Sequence, residues 1–188
     1  MSKALPEGEE LPGFLAAPQD VALLEAEDVV TSDKAACRPI ADMMSVRPRH
    51  PRKAMVWATM KPRDAPAGMT ASSSLTLSSH ELKVAQAWMA ELKQALADCS
   101  EFTAVSQRGW THRFSLQPLA PIKAGDDSVS YVLTNALAPD GKGNIMTIVR
   151  TGGAFATYLM APGAGKPVPM SVAVANQQHR KLQAAANP

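Results

Sequence analysis

No run in this sequence approaches the roughly 18–20 uninterrupted apolar residues that a membrane-spanning helix needs, so no helical span is expected. An excess of one charge is missing too. Nineteen Lys and Arg face seventeen Asp and Glu, and a net charge of +2 gives no general attraction to nucleic acid or anionic lipid. No two histidines stand three to five residues apart and neither cysteine has a close partner in sequence, so no metal-ligating spacing occurs and neither metal nor cofactor is expected. Nucleophilic catalysis has no written signature. There is no Gly-x-Ser-x-Gly elbow, and His50, His80, His112 and His179 lie in unrelated settings. The segment GAGKP, residues 163–167, ends like a phosphate loop, but Met160 stands where the first glycine belongs and Pro167 where a Ser or Thr would bind magnesium.

What remains is enough for a core. The 188 residues are 46% apolar and 19% charged, the balance of a globular chain, and the length suits one domain. Residues 1–10 are polar without a period and are expected to form a flexible leader, with an ordered domain over 11–185 and a short tail at 186–188. The opening MSKALPEGEELPGF has no basic region followed by an apolar one, so read literally it predicts no export. Met1 fits equally well a start placed after removal of a natural signal peptide.

Along the chain, Pro12-Gly13 marks a turn into the first ordered segment, and Val29-Val30 suggest a short strand. Behind two candidate caps, Ser32 and Asp33, the positions Ala36, Ile40, Met43 and Met44 predict a helix over about 33–45. KAMVWATMK and SSSLTLSS alternate as strands, the second with Leu75 and Leu77 on one face. Leu82, Ala85, Trp88 or Met89, Leu92 and Leu96 recur at helical steps over 81–98 behind Ser78 and Ser79. Strands are then expected at 102–106, 111–119, 128–137, 145–150 and 154–160, the last two joined by a tight Thr151-Gly152-Gly153 hairpin, before a final helix in MSVAVANQQHRKLQAAA. The order predicts an α+β fold: an antiparallel sheet with about three helices.

Cys37 falls in the first helical segment and Cys99 closes the long one. Paired, they would close a loop of some 60 residues and stabilise the fold by about 4 kcal/mol; two buried free thiols are the alternative. Arg47, Arg49, His50, Arg52 and Lys53 lie in RPRHPRK, where two prolines exclude helix, and read as an exposed basic linker or as a contact for an acidic partner. Trp88 reads as core; Trp110, after Arg108-Gly109, suits either ligand stacking or packing at the rim. Asp126 and Asp127 offer an acid pair, although neighbours on a strand face opposite ways and turn aspartates are commoner. With Arg150 these complete the candidate binding residues.

The Pro-Gly-aromatic entry, the Cys-bearing helix, the long helix ending in Cys99, Gly125-Asp126-Asp127-Ser128 before a strand and Val149-Arg150-Thr151-Gly152 in a hairpin together are suggestive. Their order over about residues 11–185 resembles the PknH-like extracellular sensor domains of actinobacterial envelope lipoproteins and serine/threonine kinases. The resemblance implies a sheet flanked by helices, a cleft, display outside the membrane behind an anchor absent from this chain, and binding of an envelope ligand or protein. Kinase members of that family carry two disulfides, and this chain can form one. The expected function is therefore non-catalytic extracytoplasmic binding or sensing. A secreted accessory or inhibitor protein that docks on an enzyme is the second reading, and an atypical hydrolase using Asp126 or Asp127 the third.

Overall fold

The computed structural model describes residues 1–25, 28–64, 73–138, 143–161 and 169–186. The GAGKP segment, most of the loop before SSSLTLSS, the Asp140-Gly141 join and residues 187–188 lie outside them. Nine strands form one antiparallel sheet: β1 (Phe14–Gln19), β2 (Val30–Ser32), β3 (Ala54–Pro62), β4 (Ser73–Ser79), β5 (Glu101–Ser106), β6 (Thr111–Leu119), β7 (Asp127–Asn135), β8 (Asn144–Thr151) and β9 (Ala154–Met160). Their spatial order is β1-β3-β4-β9-β8-β7-β6-β5-β2. The α+β expectation is met, with helices α1 (Arg38–Met43), α2 (Leu82–Asp98) and α3 (Val172–Ala186).

Each face of the sheet has its own apolar layer. On one face, Cys37 just before α1 and Ile40, Trp88, Met89 and Leu92 from α1 and α2 pack on Phe102, Val129, Tyr131, Ile148 and Phe155. On the other, Val174, Ala175 and Leu182 of α3 pack on Met60, Leu75, Leu77, Val149 and Tyr158. Period-two alternation makes this possible: Leu75 and Leu77 point to the α3 side, which leaves Ser74, Thr76 and Ser78 for the α1 side. Cys37 and Cys99 are disulfide-bonded and tie the short α1 to the end of α2.

Three expectations need correction. The first helix is shorter than its periodicity suggested: a 3-10 turn, Ala35–Cys37, precedes α1, which begins where Pro39 fits the first turn. The cap candidates before it do other work, Asp33 accepting from the Thr103 amide and Ser32 closing a local turn with Lys34. Before α2, Ser78 and Ser79 belong to β4, and Glu81 holds the cap position instead. Residues 1–10 are not a free leader. Ala4 is buried, Gly8 bridges to Ala16, and the Gln178 side chain on α3 donates to the Ala4 carbonyl while Lys181 pairs with Glu10.

Candidate functional site

A cleft of about 240 Å³ opens where α2 stops covering the sheet. Trp88 reaches Phe155 on β9, with ring centroids 5.7 Å apart. Beyond that point the α1 face of β4 and its neighbours is roofed by the end of α1 and the segment carrying Leu23 and Leu24. That segment is held by Trp57, whose indole Nε1 donates to the Val21 carbonyl at 2.8 Å. Met43, Met44, Met55 and Met146 line the cleft with Ile40, Leu133 and Leu159. Methionine suits such a wall because its unbranched, polarizable side chain adapts to irregular shapes.

Several polar side chains border this apolar space. Ser74, Thr76, Ser78 and Thr157 form its hydroxyl-bearing floor. Tyr131 is fully buried and its hydroxyl has no hydrogen-bond partner among the described residues. Burial drives its pKa upward, so it stays a neutral phenol with a proton to donate. A buried donor without a partner carries a desolvation penalty of about 1–3 kcal/mol, which is why such groups are rare.

Arg52 stands at the rim. It donates to the carbonyl oxygens of Ser45 at 2.6 Å, Asp42 at 3.1 Å and Met43 at 3.4 Å, closing the C-terminal end of α1, and its guanidinium lies 5.3 Å from the Trp88 ring centroid. Desolvation pulls its pKa down to about 10 and the nearby Asp42 opposes that, so it remains a cation at neutral pH. The Asp42 carboxylate is itself occupied by Arg38 and Arg49, and Arg49 also reaches Glu91.

Ser78 and His80 form the arrangement closest to catalytic geometry. Ser78 Oγ lies 3.0 Å from His80 Nε2, and His80 Nδ1 lies 3.0 Å from the Pro51 carbonyl. A carbonyl only accepts, so His80 carries its proton on Nδ1 and receives the serine hydroxyl at Nε2, the tautomer of a serine–histidine pair. The surroundings work against proton uptake. Burial, Arg52 and His50 all hold the His80 pKa below its ordinary value, while the Pro51 carbonyl pulls the other way. Among the described residues no carboxylate orients the ring, and the cation that forms in general-base catalysis would sit against Trp88 and Phe155 beside a guanidinium.

The residues singled out in the sequence are scattered. Of the basic tract, Arg52 lines the cleft; Arg49 and His50 meet Glu91, Lys53 pairs with Glu81, and Arg47 is exposed. The tract is thus stitched to α1 and α2 and is no free linker. Trp110 is half-buried and packs on the first apolar layer beside His112. Asp126 accepts from Arg150 and the Gly152 amide, whereas Asp127 pairs with Lys93 on α2. The two acids therefore do not share a partner, and Trp110, Asp126, Asp127 and Arg150 all lie away from the cleft. Asp126 borders two more open depressions of about 440 and 530 Å³, one of them also bordered by Asp127. The residues the sequence reading missed are Tyr131, Ser78 and the methionines; the one available signal was SSLTLSS, where small hydroxyls alternate with buried leucines on a central strand.

No family model matches this chain, and no curated protein matches it. Among solved structures, the extracellular domain of PknH from Mycobacterium tuberculosis superposes with a TM-score of 0.49 and 11% sequence identity, over 93% of this chain and 82% of that one. Among the described residues no helix is long and apolar enough to cross a membrane, and no three His, Cys, Asp or Glu side chains gather as a metal site.

Proposed function

We propose that this chain is an extracytoplasmic binding or sensor domain that takes an apolar ligand into the cleft between α1 and β4, and that it binds without catalysing. One observation carries the reading: an apolar cleft walled by four methionines and bordered by the buried Tyr131, whose hydroxyl has no partner among the described residues. An apolar pocket with a few convergent polar groups is the usual form of a small-molecule site. The Cys37–Cys99 bridge supports the compartment, because disulfides persist where the surroundings are oxidising, and display at the cell envelope, anchored or secreted, fits it. The electrostatics around His80 support the absence of turnover.

Native mass spectrometry of protein purified from a source containing membrane lipids tests this. The wild type is expected to carry a small apolar adduct that organic solvent extracts, and Met55→Trp, which fills the cleft from its half-buried edge, is expected to lose it. An adduct retained equally by both proteins, or ester hydrolysis that disappears in Ser78→Ala, would overturn the reading. A stoichiometric protein partner in place of the adduct would favour docking on another macromolecule.

A further inference from the structure

The register across the sheet gives the cleft a direction. Ser78 pairs with Phe155, and Phe155 with Arg150; Met146, four residues along β8 from Arg150, pairs with Tyr131. The path from Ser78 to Tyr131 therefore crosses three strand spacings and about four residues of strand length, a diagonal on the order of 20 Å. Ser74, Leu159, Met146 and Tyr131 lie in one row across the strands, so the floor is several residues wide, and a ligand that reaches both the Ser78 corner and Tyr131 must span that diagonal.

Its chemistry is graded. Arg52 lines the trough, and among the described residues three guanidinium groups around the end of α1, Arg38, Arg49 and Arg52, face two carboxylates, Asp42 and Glu91. Among the described residues the Arg52 donors reach only neutral backbone carbonyls. The surplus there is cationic. Toward β7 the polar group is the Tyr131 hydroxyl, buried and unpartnered.

We propose that the trough holds a single extended acyl chain, acidic at the end nearest Arg52 and carrying an oxygen function that meets Tyr131. This rests on the binding reading above and names the ligand class for the same cleft. The acidic group complements the cationic rim, the methylenes replace water against methionine and leucine, and the oxygen function satisfies a phenol that nothing else in the described protein reaches. A neutral hydrocarbon would leave both polar ends unanswered; a sugar would set its hydroxyls against the thioether wall.

Titration by native mass spectrometry with omega-hydroxyhexadecanoate, hexadecanoate and 1-hexadecanol separates the contributions. The hydroxy acid is expected to bind one-to-one and hexadecanoate more weakly. The uncharged alcohol should be weaker than hexadecanoate by about tenfold, the change that loss of one charge-assisted hydrogen bond corresponds to. Tyr131→Phe, which keeps the ring, should erase the preference for the hydroxy acid while hexadecanoate still binds. Equal affinity for all three probes, or a hydroxyl preference that survives Tyr131→Phe, overturns the ligand class but leaves an apolar cleft. If no probe binds and Met55→Trp leaves any native adduct in place, the cleft reading fails with it.

Discussion

At the scale of single residues, His80 shows how burial selects a protonation state. Its ring lies between Trp88 and Phe155 and accepts from Ser78, which suits the neutral form, while its donation to the Pro51 carbonyl opposes this only in part. The folded-state pKa is lowered, chiefly by desolvation, with Arg52 and His50 adding to it. The unfolded chain therefore takes up this proton first as pH falls. The contribution of His80 to stability is complete above about pH 6.5, the value of a free histidine, and is lost progressively below it until the folded state also protonates. The unfolding free energy from urea titration should thus fall more between pH 7.5 and 5.5 for the wild type than for His80→Gln, by up to about 1.4 kcal/mol per pH unit below about 6.5. Parallel pH profiles for the two proteins would mean that His80 is not held neutral by its surroundings.

Among the elements, α1 depends most on help from elsewhere. Six residues are too few to hold a helix by themselves, and α1 persists because Ile40 is buried, Arg52 closes its final carbonyls and the Cys37–Cys99 bridge fixes its start to the end of α2. Since the end of α1 roofs the cleft, the bridge matters for binding as well as for stability. Reduction is expected to lower unfolding free energy by about 2–4 kcal/mol, and to weaken ligand binding at urea concentrations where the sheet signal by circular dichroism is unchanged. Intact mass after thiol alkylation checks the premise: two labels should enter only after reduction. Labelling of both cysteines without reductant would leave α1 untied and remove the expected coupling.

At the scale of the whole molecule, what was legible in the sequence followed from short-range pattern. The strands Thr111–Leu119 and Ala154–Met160 have the bounds expected from the β-rich runs, and the Gly152-Gly153 turn joins β8 to β9 as its composition suggests. The cleft was not legible, because it arises from strand order. Tyr131 and Arg52 are remote in sequence, and they come to line one space only because β9 and β8 intervene between β4 and β7 and because α2 stops short. The basic tract misled for a related reason: composition shows five basic or potentially basic side chains but not the carboxylates of Asp42, Glu81 and Glu91 that meet three of them.

Residues 1–10 were the clearest failure of composition, since a polar, aperiodic start carries no signal for docking. Their role appears only when both faces of the sheet are considered together. The α3 layer is the smaller of the two, and the first residues complete it: Ala4 and the adjoining Leu11 are buried in it. Two side chains of α3, Gln177 and Gln178, donate to the Glu10 and Ala4 carbonyls. Removing residues 1–10 would strip that cover and leave the buried Gln178 amide without its acceptor, a loss of about 1–3 kcal/mol for the unsatisfied group before any apolar exposure is added. The shortened chain should therefore unfold at clearly lower urea concentration, and amide exchange should quicken in α3 while α2 and the cleft face keep their relative protection. An unchanged midpoint would return the segment to the status of a leader. Faster exchange spread evenly over both faces would show that the two layers share one cooperative unit, with the cleft sensitive to changes on the far side of the sheet.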